Sequence, residues 1–158
     1  MNHVYDVNCF ANFWELIDQV EHDLLPRVKE PEIWSIADVV DHLVDAELQS
    51  YLRFRSILFD PVPIIANHDE QRWQEGGRSH YTIADAKVLI DGIRRANKRL
   101  LDAAEEGSLD QSGMHTTAGV VTLRDLIRIY DEHVETHRRQ VKRLLANLSN
   151  PQTKASTR

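Results

Sequence analysis

Apolar residues recur at intervals of three and four along most of the chain, which is the period of one face of an α-helix. Four stretches carry such a stripe, and they begin near Phe10, Ser35, Thr82 and Thr122. The first stripe comprises Phe10, Phe13, Trp14, Ile17, Val20, Leu24 and Val28. The pattern therefore predicts four amphipathic helices of ~20–27 residues. No convincing strand alternation accompanies them, although Gly119–Val121 could add a short extended piece.

Three of the predicted helix starts share one capping signature, a hydroxyl residue followed three positions later by an aspartate. The pairs are Ser35 with Asp38, Thr82 with Asp85, and Thr122 with Asp125. The hydroxyl can accept a hydrogen bond from an N–H of the first turn, and the carboxylate can accept one from the capping residue's own N–H. The signature therefore places the starts of the second, third and fourth helices.

Four such helices cannot bury their apolar stripes alone, so the sequence predicts an all-α four-helix bundle. We expect a single domain over residues 1–148 and a polar, disordered tail over 149–158. The connection between helices two and three, residues 60–81, exceeds the ~12–15 residues of ordinary loops. It either crosses the length of the bundle, making helix three parallel to helix two, or forms a mobile lid, and its length favours the crossover.

Composition narrows the class of protein. The chain has 158 residues, 42% of them hydrophobic and 28% charged, which suits one globular domain. A net charge of −6 argues against broad binding to nucleic acid or anionic membranes. No secretory signal and no apolar run of ~18 residues is visible, so we expect a cytoplasmic protein without a membrane span. The lone cysteine, Cys9, excludes an intrachain disulfide framework or a Cys-rich metal site and is expected to be an inert thiol.

Candidate chemistry rests on the eight histidines. His133 and His137 are one helical turn apart, and both fall on the apolar stripe of the fourth helix, between Tyr130 and Val141. Two adjacent buried imidazoles each need a polar partner, and burial disfavours their charged forms. A shared metal ion would satisfy both rings. Separate hydrogen bonds in the core are an equally open interpretation of the pair.

A third ligand would come from another helix. His42 lies on or beside the stripe of helix two, flanked by Val39 and Ala46. The remaining histidines are poorer candidates because they are terminal, on a polar helix face or in loops: His3, His22, His68, His80 and His115. A single core histidine is more often hydrogen-bonded than metal-bound. If His42 joins the pair, three imidazoles leave a coordination position for water or substrate.

Glu47 follows the core position Ala46 in helix two and could enter the same pocket as a proton acceptor. A solvated position or an ion pair with another helix is the more common fate of such a residue.

Two segments resemble motifs of a known family. Trp34–Glu47, WSIADVVDHLVDAE, resembles the helix-two motif of the DinB-like, or YfiT-like, superfamily of metalloenzymes. The pattern His133-x-x-x-His137-x-x-Gln140 resembles the helix-four motif of that superfamily. The similarity extends from helix one to about Leu148 in length, helix order and the long second connection. It implies an up-down-down-up four-helix bundle that is often dimeric.

The resemblance also implies a divalent ion, frequently nickel or zinc, held by three histidines that map onto His42, His133 and His137. Family members include transferases and isomerases that use low-molecular-weight thiols such as bacillithiol or mycothiol, and others resemble metal-dependent hydrolases. We therefore expect a metal-dependent enzyme acting on a small molecule, as a thiol S-transferase or a hydrolase. The alternative is a non-catalytic metal-binding module or a dimeric stress-response partner protein. No catalytic residue beyond the three ligands is predicted.

Overall fold

The computed structural model describes residues 5–27, 34–76, 81–105 and 107–149. Its helices are α1 (Ala11–Ile17), α2 (Ile36–Phe59), α3 (Glu70–Gly76), α4 (Ile83–Asp102) and α5 (Leu123–Ser149). Its short strands are β1 (Ile64–Ile65), β2 (Ser112–His115) and β3 (Gly119–Thr122), and a 3-10 turn spans Ser108–Asp110. Helices α1, α2, α4 and α5 form the bundle, which confirms the predicted fold class.

The predicted caps begin the three long helices. The Ser35 hydroxyl accepts a hydrogen bond from the Asp38 N–H at 3.1 Å, and the Asp38 carboxylate accepts one from the Ser35 N–H at 2.8 Å. Thr122 and Asp125 exchange the same two hydrogen bonds, each at 3.1 Å. Thr82 accepts from the N–H three residues ahead at 3.1 Å. Each cap therefore satisfies amide groups that the first helical turn leaves without partners.

Helices α2 and α4 run parallel to each other. Near their N-terminal ends the Asp41 carboxylate accepts a hydrogen bond from the Tyr81 N–H at 3.1 Å. Further along both helices, the Asn97 amide donates to the Ser50 hydroxyl at 2.7 Å. Because the later residue of α2 meets the later residue of α4, the segment between them crosses the bundle, as its length predicts.

Helices α1 and α5 run against this pair. His42, early in α2, contacts His133, whereas Arg53, later in α2, donates to the earlier Tyr130 hydroxyl. Asp18, directly after α1, forms an ion pair with Lys87 near the start of α4 at 2.6 Å. Residues that precede α1 contact later residues of α4 instead. Helix α1 is therefore antiparallel to α4. The directions together give the up-down-down-up topology.

The predicted extent of the first helix is wrong. Helix α1 ends at Ile17, and residues 18–26 form successive turns rather than helix. Pro26 explains the absence of helix only at the end of the predicted stretch, because a proline removes a hydrogen bond and clashes with the turn that precedes it. Val28, the last predicted stripe residue, lies outside the described residues. Phe13, Trp14 and Ile17 are buried as the stripe requires.

A small sheet supplements the helices, which the apolar pattern did not predict beyond the extended piece at Gly119–Val121. Strand β1 pairs parallel with β2, and β2 pairs antiparallel with β3. These strands have two to four residues, too few for an alternating pattern to stand out. At Gly113 a side-chain Cβ would lie 3.0 Å from the Cβ of Pro63, so glycine permits the close approach of β2 to the residues preceding β1.

The predicted tail, apart from Ser149, lies outside the described residues. Among the residues that are described, none of the helices has the combination of length and apolarity that crossing a membrane requires.

Candidate metal centre

Two helices bring three imidazole rings together inside the bundle. Helix α2 supplies His42, and successive turns of α5 supply His133 and His137. The Nε2 atom of His133 lies 3.0 Å from Nε2 of His42 and 2.9 Å from Nε2 of His137. His42 and His137 are buried and His133 is half-buried. The three rings therefore point their Nε2 atoms at one another.

Gln140 fixes the orientation of one ring. The amide oxygen of Gln140 lies 2.8 Å from Nδ1 of His137. Because that oxygen can only accept a hydrogen bond, Nδ1 carries the proton and Nε2 keeps its lone pair. This is the tautomer that a metal ligand needs, and an outer partner of this kind is usual for ligating histidines.

The donor set fits a divalent ion. Burial lowers the pKa of His42 to about 2 and that of His133 to about 3, and the neighbouring imidazoles add to both shifts. The rings are consequently neutral near pH 7, with lone pairs available for an ion. Their Nε2 separations are slightly shorter than the ~3.3 Å between tetrahedral ligands at ~2.0–2.1 Å from zinc. His42, His133 and His137 could therefore hold a metal ion with a small outward shift.

The half-buried Trp34 packs against this group. Its ring centre lies 5.0 Å from that of His42, and its plane is stacked on His137 at 6.3 Å. An indole packed against both rings limits their rotation. Sequence reasoning quoted Trp34 within the motif without giving it this role.

His68, which the sequence places among the poorer candidates, lies close to His42. It lies in the crossover, and its ring, together with the carboxylate of Glu70, places ligand atoms within 4.8 Å of one another and of a ligand atom of His42. The only sequence feature that could have indicated this pair is a histidine and a glutamate two positions apart in a long connection. Their approach to His42 depends on the path of the crossover, which periodicity does not reveal.

The other histidines contribute nothing to this group within the described structure. His22 is exposed in the turns after α1, and His115 lies in β2, where its Nδ1 accepts from the Ala118 N–H at 3.1 Å. His3 and His80 lie outside the described residues.

Glu47 forms an ion pair with another helix, one of the two roles expected for it in preference to that of a proton acceptor in the pocket. Its carboxylate lies 3.5 Å from Nη1 of the fully buried Arg94, whose Nη2 donates to Asp131 at 2.5 Å. Burial raises the pKa of Glu47 to about 7 and that of Asp131 to about 6, against the lowering effect of the guanidinium. The same guanidinium contacts the Cys9 thiol, and burial raises the pKa of that thiol to about 12, which disfavours the reactive thiolate near pH 7.

An open cleft of about 740 Å³ lies along the crossover. Its lining comprises Asp45, Asn67, His68, Asp69, Arg72, Trp73 and Gly76. His68 thus belongs both to the cleft and to the surroundings of His42. A small molecule in the cleft would contact His68, whose ring lies near His42.

The fold and sequence match known proteins over most of their length. The solved structure of YfiT from Bacillus subtilis, described as "a probable metal-dependent hydrolase with an unusual four-helix bundle topology", superimposes with a TM-score of 0.80 at 22% identity, covering 90% of this chain and 82% of that one. A Bacillus mycoides protein named "putative metal-dependent hydrolase" is 27% identical over 133 residues, which are 84% of this chain and 75% of that protein.

A Bacillus cereus protein with the same name is 28% identical over 133 residues, again 84% of this chain and 75% of the relative. The model of the DinB superfamily matches residues 7–141, which include α1, α2, α4, all three strands of the sheet and most of α5. With the family model spanning the bundle and all three histidines, the chain belongs to the DinB superfamily.

Proposed function

We propose that the protein is a divalent-metal-dependent enzyme that hydrolyses a small molecule, with His42, His133 and His137 as the metal ligands. One observation carries the proposal: the Nε2 atoms of the rings face one another at 2.9–3.0 Å, while Gln140 binds the other nitrogen of His137. Three facing nitrogens share too few protons to satisfy one another, whereas a cation accepts all three lone pairs.

The chain's own residues set the character of the site. A structural zinc site normally has four protein ligands, whereas three ligands leave a position for a reactant. A divalent ion held there supplies Lewis acidity, which lowers the pKa of a coordinated water or thiol. His42, His133 and His137 would hold the ion, Trp34 packs against two of these rings, and Gln140 keeps His137 in the ligating tautomer.

Hydrolysis is preferred to thiol transfer because the two Bacillus relatives are named as hydrolases. Transfer to a low-molecular-weight thiol is the second candidate, since the same ligands would activate a thiol as readily as water. Neutral imidazoles suit several divalent metals, and we propose zinc or nickel on the strength of the family resemblance.

The experiment compares protein loaded with zinc or nickel with chelator-treated protein. One arm uses aryl ester, amide and phosphoester substrates, and the other uses a low-molecular-weight thiol with an electrophile. We expect metal-dependent hydrolysis that is lost in His133→Ala and kept in His22→Ala, whose side chain is exposed in the turns after α1. Turnover only in the thiol arm would favour transfer, and no turnover in either arm would favour a non-catalytic module.

We further propose a cytoplasmic homodimer formed by one domain, residues 1–148. Leu48, Leu52 and Phe59 are exposed along α2, and Ile64 is exposed after it, which gives an apolar face suited to a second copy. Light scattering during size-exclusion chromatography tests the dimer, and Leu52→Asp should shift it toward the monomer. Cell fractionation tests the location.

A further inference from the structure

The crossover segment before His68 is fastened to the rest of the molecule. The Thr116 N–H donates to the Ile65 carbonyl at 3.0 Å, and the Asn67 N–H donates to the Thr116 hydroxyl at 2.8 Å. From α2, the Arg53 guanidinium donates to the Ala66 carbonyl at 2.8 Å. The backbone directly before His68 is therefore held in place by hydrogen bonds to the sheet and to a helix of the bundle.

His68 itself has unused hydrogen-bonding capacity. Its side chain is only 14% exposed, and within the described structure neither ring nitrogen has a hydrogen-bond partner. Trp73 packs beside the ring at 5.2 Å, and the Glu70 carboxylate lies 4.0 Å from Nε2. A buried imidazole without partners is unfavourable unless a bound molecule supplies one.

His68 lies near His42 but does not join the group that His42 forms with His133 and His137. The ligand atoms of His42, His133 and His137 form one group within 4.8 Å, and those of His42, His68 and Glu70 form another. The two groups share only His42. A side chain one step beyond the ligands is placed to contact a molecule held at the open coordination position rather than the ion.

We propose that His68 is a positioning residue that hydrogen-bonds the molecule occupying the open position of the metal centre, with Glu70 supporting its ring. The inference rests on the proposed function in needing an ion at the three histidines. It also assigns the direction of that open position, toward the cleft lined by His68 and Trp73. A water, alcohol, thiol or small anion would offer the hydrogen-bonding atom that His68 lacks.

The test uses protein loaded with Co²⁺, whose visible spectrum reports its ligands, and azide as the probe of the open position. His68→Ala should bind Co²⁺ with unchanged stoichiometry and an unchanged spectrum in the absence of azide. Its azide dissociation constant should rise about tenfold, the effect of one lost hydrogen bond to a charged group. His68→Gln, which keeps a donor on a similar stem, should recover part of the affinity, and the control His22→Ala should match the wild type.

Equal azide affinity in the wild type and His68→Ala would overturn the inference while leaving the three-histidine site intact. A His68→Ala spectrum altered before azide is added would overturn it too, because His68 would then be a ligand. Failure of the wild type to bind Co²⁺ would overturn the proposed function and this inference together. A thermal melt of each variant confirms that the protein compared is folded.

Discussion

The side-chain oxygen of Gln140 accepts a hydrogen bond from Nδ1 of His137 at 2.8 Å, within one turn of α5. The residue that orients the ring and the ring itself thus belong to the same rigid helix. An outer hydrogen bond of this kind fixes both the tautomer and the direction of the ligating lone pair. It gives the candidate centre a feature that can be changed without removing a ligand.

We expect Gln140→Leu to lower metal affinity by about 10–100-fold, the usual effect of losing a partner of a ligating histidine. Competition with a chromophoric chelator measures the change. Gln140→Glu keeps an accepting oxygen and should retain most of the affinity. An affinity for Gln140→Leu equal to that of the wild type would show that the hydrogen bond does not tune the ring.

Arg94 offers a test of the bundle core. Its guanidinium is fully buried between Glu47 and Asp131, so Arg94→Met leaves a buried and a half-buried carboxyl group without a counter-charge. We expect the free energy of unfolding to fall by about 3–5 kcal/mol, measured by urea denaturation at pH 8. The exposed neighbour Arg95 is the matched control, and Arg95→Met should change the unfolding free energy by less than about 0.5 kcal/mol. A loss below about 1 kcal/mol in Arg94→Met would contradict the assigned role of the pair.

The same cluster predicts a pH dependence of stability. Burial raises the pKa of Glu47 from 4.5 to about 7 in the folded protein. Between these values the folded state keeps a proton that the unfolded state has released, so this contribution to stability is present below pH 4.5 and lost as the pH rises through 7.

Glu47→Gln mimics the protonated carboxyl and cannot lose the proton. In metal-free protein, the unfolding free energy of the wild type minus that of Glu47→Gln should therefore decrease as the pH rises from about 4.5 to about 7. Taking the difference between the two proteins cancels the contribution of the histidines, whose lowered pKa values make the unfolding free energy rise with pH in both. A difference that stays constant or increases over this range would show that Glu47 titrates near its ordinary pKa.

The start of α2 provides a third stability test. Ser35 and Asp38 form a reciprocal capping box, and both are buried. We expect Ser35→Ala to cost about 0.5–2 kcal/mol in thermal or urea unfolding. The exposed Ser112 is the control, since Ser112→Ala removes no cap. An unchanged unfolding midpoint in Ser35→Ala would argue that tertiary packing alone fixes the start of this helix.

The long helices could be predicted because their information is local. Ser35, Thr82 and Thr122 stand immediately before the apolar stripes, and each caps the helix that the stripe predicts. The first helix was predicted too long, and Pro26 accounts only for the end of that stretch, because a proline disrupts the turn that precedes it. The sheet was missed because its strands depend on pairing between segments distant in the chain.

In the candidate metal centre, too, some residues could be predicted from local pattern and others could not. His133 and His137 share one helix face, so spacing alone brought them together, and His42 followed from its position on the stripe of α2. The proximity of His68 to His42 could not be predicted from helix spacing, because it depends on the path of residues 60–67 along the sheet. Periodicity describes faces of helices, whereas this contact is set by hydrogen bonds from Thr116 and Arg53.

Metal content is the most direct test of the central claim that three imidazoles bind one ion. Protein purified without a histidine tag would be analysed by inductively coupled plasma mass spectrometry, beside His133→Ala and His22→Ala. We predict close to one equivalent of a divalent metal in the wild type and in His22→Ala, and its loss in folded His133→Ala. Wild-type protein that takes up no metal, or His133→Ala that retains a full equivalent, would contradict the claim.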